Sequence, residues 1–171
     1  LGEKIFYVWA QDNASNVSAA ATPVSIIFDN LTPTISSFSI YDSSDDNTSY
    51  TNSDNVTFRL VNYDNGTGVA YYFITDNASY SASGSVSAPW QTDNASNSGD
   101  GGWKALGSPS DNFTGNFVFD NGTNESKTLY VHIVDTAGQL STVASQSIVF
   151  DNQTPTLSSV ADNGSKGFFG A

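Results

Sequence analysis

Apolar and polar residues alternate along this chain in short runs of period two, and clusters of Gly, Ser, Asn, Asp and Pro punctuate the runs at regular spacing. The pattern predicts strands near residues 34–41, 55–61, 68–75, 102–106, 115–119, 127–134 and 143–150, with helical periodicity nowhere in evidence. Alternation is clearest in Val56, Phe58 and Leu60, in Val69, Tyr71 and Phe73, and in Leu129, Val131 and Ile133, which are the expected inward faces. Residues 79–101, rich in Ser, Gly, Asn and Asp, read as a long exposed loop or weak edge hairpin flanked by Trp90 and Trp103. The expectation is an all-β sandwich.

The chain also matches itself. Tyr7-Val8-Trp9-Ala10-Gln11-Asp12 is repeated as Tyr130-Val131-His132-Ile133-Val134-Asp135 at an offset of 123, and Ser25-Ile26-Ile27-Phe28-Asp29-Asn30 as Ser147-Ile148-Val149-Phe150-Asp151-Asn152 at an offset of 122. A period of that length is one sandwich domain, so the chain divides into the closing strands of one unit (about 1–29), a complete unit (30–151) and the opening of a third (152–171). A two-stranded piece cannot bury its own apolar face. The end units are therefore expected to be completed by more of the same polypeptide or by strand exchange with a neighbouring copy.

Composition narrows the function classes. Hydrophobic residues make up 38% of the chain and aromatic residues 13%, enough for a modest core and more than disordered segments carry. Fifteen Asp and two Glu against five Lys plus Arg give a net charge of −12, which excludes nucleic acid as a partner because phosphate binding needs a basic surface. Cys and Met are absent, which removes disulfides, thiol catalysis and Cys-ligated zinc. No apolar stretch is long enough to insert in a membrane, and nothing at the start resembles a signal peptide, so any targeting signal of a parent protein is expected outside this stretch.

The runs Gly66-Thr67-Gly68-Val69-Ala70-Tyr71-Tyr72-Phe73, then Gly102-Trp103, then Lys127-Thr128-Leu129-Tyr130-Val131 leading to Asp135-Thr136-Ala137-Gly138, resemble the immunoglobulin-like tandem repeats of large secreted bacterial surface proteins. Ser15 of the N-terminal copy stands where that family usually has Gly. The resemblance implies an immunoglobulin-like β-sandwich repeat that acts as a spacer, stalk or adhesive module outside the cell. It also implies calcium at the joints between units, where hard cations gather oxygen ligands and stiffen a linker; Asp29 and Asp151, each just before a Thr-Pro step, are the candidate ligands. One Asp per joint is short of a cage unless a loop such as that around Asp64 contributes. Asp135 itself reads as a turn acceptor, with Gly138 supplying the left-handed residue.

A second pattern is the tetrapeptide Asp-Asn-x-Ser/Thr, present eleven times with Asn at Asn13, Asn30, Asn47, Asn55, Asn65, Asn77, Asn94, Asn112, Asn121, Asn152 and Asn163. Thirteen of seventeen Asn stand in Asn-x-Ser/Thr, where chance would place about four. All four residue types are turn formers, which explains their company but not the fixed order. N-linked glycans on these Asn are the functional reading, and turn chemistry the alternative.

Catalysis finds no support: the single His132 lies in a strand between Val131 and Ile133, and no Gly-x-Ser-x-Gly elbow supplies a nucleophile for it. The expected function is a structural repeat of an extracellular fibre, filament or adhesin stalk. The alternative is a carbohydrate-binding or accessory module of a secreted enzyme, with Trp90, Trp103, Tyr71 and Tyr72 stacking on sugar rings.

Overall fold

In a computed structural model, the described residues are 1–78, 103–106, 112–119 and 122–158, and every regular element among them is a strand. Two strands come first, β1 (Gly2–Phe6) and β2 (Val24–Phe28), paired antiparallel as an isolated hairpin. The sandwich follows: β3 (Thr34–Asp42), β4 (Tyr50–Thr51), β5 (Asn55–Tyr63), β6 (Val69–Thr75), β7 (Lys104–Ala105), β8 (Asn112–Val118), β9 (Glu125–Asp135) and β10 (Ala144–Phe150). One sheet has the order β4-β10-β9-β6-β7 and the other β3-β5-β8. No helix among the described residues is long and apolar enough to cross a membrane. Residues 79–102, with Trp90, residues 107–111 and 120–121, and residues 159–171 lie outside the described part.

The two sheets bury their facing sides against each other, as period-two alternation requires. Val56, Phe58 and Leu60 from β5 meet Leu129, Val131 and Ile133 from β9, all six fully buried, and Ile40, Ile148 and Phe117 close the core around them. The ring of Phe58 sits against Tyr72 at 5.9 Å and Phe113 at 5.5 Å between centroids. Gly115 makes room for it: a Cβ there would lie 2.7 Å from the Phe58 ring.

The third expected face is corrected. A bulge between Val69 and Tyr71 shifts the register of β6 against β9, so beyond it the inward residues are Tyr72 and Ile74, while Phe73 turns to the outer side and packs on Trp103 at 5.7 Å. One inserted residue exchanges the two faces of everything downstream. The short β4, which the alternation did not signal, pairs parallel with β10 and is held by Asp42: its buried carboxylate accepts the Ser44 amide at 2.7 Å, the Thr51 hydroxyl at 2.6 Å and the Ser44 hydroxyl.

The Ser44 and Thr51 hydroxyls, with the Ser44 amide, lower the Asp42 carboxyl to about 2. A depressed acid stabilises the fold above its unfolded value and loses that contribution as pH falls. Asp42→Asn is therefore expected to cost about 2 kcal/mol at neutral pH and to flatten the loss of stability between about pH 4 and 2, as read from denaturant midpoints against pH.

Candidate metal centre

The linker that joins the hairpin to the sandwich begins at Asp29, the residue after β2. Asp29 folds back on its own chain, its Oδ1 accepting the Leu31 amide at 3.0 Å, while its Oδ2 reaches across to the β5–β6 turn and accepts the Thr67 amide at 2.6 Å and the Thr67 hydroxyl at 2.9 Å. Pro33 fixes the backbone a few residues on and keeps Thr32 extended. The β5–β6 turn supplies Asp64, whose Oδ2 accepts the Gly68 amide at 2.6 Å and the Gly66 amide at 3.3 Å. Glycine at 66 allows the close approach: a Cβ there would sit 1.9 Å from Asp29 Oδ2, so a larger residue must displace that carboxylate.

The third acid ends β9. Asp135 Oδ1 accepts the Gln139 amide at 2.7 Å, and the turn is closed by its own N–H on the Gln139 carbonyl at 3.1 Å and by the Gly138 amide on its carbonyl at 3.3 Å, with Gly138 left-handed at φ 90°. Thr136 ties this turn to the β5–β6 turn, its amide donating to the Gly68 carbonyl at 3.1 Å. Carboxylate oxygens of Asp29, Asp64 and Asp135 consequently lie within 4.8 Å of one another.

Two of the oxygens have no hydrogen-bond partner although they are buried, Oδ1 of Asp64 and Oδ2 of Asp135, and Asp135 as a whole is inaccessible to solvent. Burial first, and then the charges of Asp29 and Asp64, push the Asp135 carboxyl above the usual carboxylate range against the pull of the Gln139 amide. The Leu31 amide, with the Thr67 hydroxyl and amide, holds Asp29 below it. Carboxylates this close repel one another when ionised, and the repulsion is strongest where burial keeps water from screening it. Two oxygens that share one calcium at ~2.4 Å can be at most ~4.8 Å apart, so the spacing and the all-oxygen donor set suit a hard cation such as calcium.

Of the two Asp residues singled out from the sequence, the structure brings Asp29 into this cluster together with Asp64. Asp151 is elsewhere: it accepts the Asn124 side-chain amide at 2.9 Å and the Gln153 amide at 3.0 Å. Asp135 was legible only as a turn former, and one of its oxygens has that role while the other faces the cluster. The Asp-Asn-x-Ser/Thr order has a partial physical cause, because Asp12, Asp29, Asp64 and Asp151 each accept the amide two residues on. That accounts for Asp, not for Asn and Ser/Thr behind it. Asn13, Asn30, Asn47, Asn55, Asn65, Asn77, Asn112 and Asn152 are all exposed, and Asn94, Asn121 and Asn163 lie outside the described residues.

Among the aromatic residues considered for sugar stacking, Tyr72 is buried beside Phe113 at 4.4 Å and Trp103 rests on Phe73. His132 is buried opposite Phe73, and burial lowers its pKa. Compared with known proteins, the chain matches no family model and no curated protein.

An acid whose folded value is raised contributes stability below the unfolded value, and that contribution is lost as pH rises through the folded one. In the presence of a chelator, the denaturation midpoint is therefore expected to fall as pH climbs from about 4, the ordinary carboxylate value, toward neutrality. Asp135→Asn is expected to abolish that fall while leaving the acid limb of Asp42 below pH 4 in place.

Proposed function

We propose that this chain is a structural repeat of an extracellular surface fibre, filament or adhesin stalk, an immunoglobulin-like sandwich whose joint to the preceding unit is braced by calcium. The observation that carries the reading is the meeting of Asp29, from one side of the Thr32-Pro33 linker, with Asp64 and Asp135 from the other, around buried oxygens that lack a partner. An ion held there has ligands on both bodies. Removing it leaves three carboxylates in mutual repulsion at the hinge, so occupancy sets whether the hairpin and the sandwich move as one piece.

The location outside the cell follows from the same chemistry. Extracellular modules bind calcium at about 0.1–1 mM, a range in which a site of three carboxylates and little else can be filled, whereas cytosolic calcium is far too dilute. Fifteen Asp on a chain with no Cys suit that setting. N-linked glycans on the eight exposed acceptors would coat the turns and the free strand edges. The burial of Tyr72 and the packing of Trp103 favour the stalk over a sugar-binding module.

Two measurements test this. Calorimetric titration at neutral pH is expected to find one calcium per chain with a Kd of roughly 0.1–1 mM, weaker binding of magnesium, and a higher melting temperature with calcium than with chelator. Asp64→Asn and Asp135→Asn should abolish the calcium response, and Gly66→Ala should weaken it by displacing Asp29; equal melting curves with calcium and with chelator would exclude the brace. Without calcium, Asp135→Asn should stabilise the chain by about 1 kcal/mol, since it removes a buried charge from a repulsive cluster. Intact-mass and glycopeptide spectra of the native protein test the coat, against 18.1 kDa for the bare chain: sugars on the exposed Asn are expected, and a bare mass would leave the motif as turn chemistry.

A further inference from the structure

The hairpin β1–β2 reproduces β9–β10 in register as well as in sequence. Gly2 faces Phe28 and Lys4 faces Ile26, as Glu125 faces Phe150 and Lys127 faces Ile148, at the same offsets of 123 and 122 that align the two copies. The turns above the strands share their backbone bonds. Asp12 donates its amide to Asn16 O at 3.0 Å as Asp135 does to Gln139 O at 3.1 Å, and Ser15 and Gly138 are both left-handed, at φ 70° and 90°. What differs is the cover. Leu129, Val131, Ile148 and Phe150 are 0–3% exposed beneath β3-β5-β8, whereas their equivalents Phe6, Val8, Ile26 and Phe28 are 49–63% exposed.

We infer that the apolar face of β1–β2 is a docking surface for a second sandwich body of the kind formed by residues 30–123, which it closes as β9–β10 closes its own. The equivalent positions stay apolar, a requirement that a solvent-facing hairpin does not have. The partner chemistry can be read from the complete copy. It presents a face like that of Phe58 and Leu60, an antiparallel strand like β6 for the free edge of β1, and a short parallel strand like β4 for the free edge of β2. This deepens the repeat reading given above and rests on it, but it is independent of the cation: the calcium titration can fail while the docking holds, and the reverse.

The test compares the chain as it stands with one in which a copy of residues 30–123 is fused ahead of Leu1, by amide hydrogen exchange. In the chain as it stands, residues 2–6 and 24–28 are expected to exchange much faster than β9 and β10. In the fused chain their protection should rise by about 100-fold or more, toward that of β9–β10. Val8→Asp and Ile26→Asp, on the docking face, should cancel the gain, whereas Ile5→Asp, on the other face, should keep it. A second fused chain carrying Phe6→Leu and Ala10→Ile, the residues of β9, guards against failure of the fused body to fold. If that variant protects the hairpin and the original does not, or if neither does, the inference is overturned. It is overturned equally if the hairpin of the unfused chain is already protected, alone or through dimerisation at rising concentration.

Discussion

The register of β9 positions both the core and the acid cluster. β9 lies in the middle of the five-stranded sheet, hydrogen-bonded to β6 on one side and β10 on the other, and is buried on both faces along its second half. Its odd-numbered residues, Leu129, Val131 and Ile133, fill the space between the sheets, and the last residue, Asp135, opens the turn that faces the linker. A slip of one residue would bring His132 into the core and carry Asp135 away from Asp29 and Asp64. The bulge in β6 belongs to the same constraint. It allows Val69 to pair with Asp135 at the sheet end while Tyr72 and Ile74 still reach the core.

What β9 delivers is an electrostatic problem at the joint. A carboxylate that water does not reach loses several kcal/mol of hydration, and here the charges of two more carboxylates, Asp29 and Asp64, stand beside it. The turn amides of Leu31, Thr67, Gly68 and Gln139 satisfy one oxygen after another but carry no full charge. A proton on Asp135 or a cation between the three acids supplies the missing balance. In the proposed brace the two would compete for the same oxygens, so low pH and calcium would be alternative routes to a quiet joint. Only a cation would draw in ligands from both sides of the linker.

Period-two alternation located seven of the sandwich strands, most plainly β5, where buried and more exposed residues alternate along the whole strand. It missed β4, whose two residues are too few to alternate, and it misjudged the far half of β6, because a bulge leaves no trace in the hydrophobic pattern. The internal repeat carried the hairpin and its register. The acid cluster was only half legible: Asp29 stood out beside Pro33, and the loop around Asp64 as the contributor a cage would need, whereas Asp135, 106 residues further along than Asp29, is brought there by sheet topology, which spacing along the chain does not encode. Asp151 had the same local signal as Asp29 and adopts the same turn, with the amide two residues on at 3.0 Å in both. A local signal of this kind marks a turn, and only a second body folded against it makes a site.

The two hairpin acids show how a small sequence difference separates turn chemistry from a site. Asp12 and Asp135 occupy equivalent turns, yet their carboxyls are displaced in opposite directions: the Asn16 side chain and amide lower Asp12, while burial and neighbouring charge raise Asp135. In the first turn Asn16 Nδ2 donates to Asp12 Oδ2 at 2.9 Å, so both oxygens are satisfied within the hairpin. In the second, Gln139 stands at the position of Asn16 and donates its backbone amide to Oδ1, and Oδ2 is left without a partner. An acid that its own turn neutralises has nothing to offer a neighbouring unit. An acid left half satisfied and buried beside Asp29 and Asp64 has an oxygen free for a ligand at the joint, which is why the open oxygen of Asp135 carries more weight than the number of Asp residues around it.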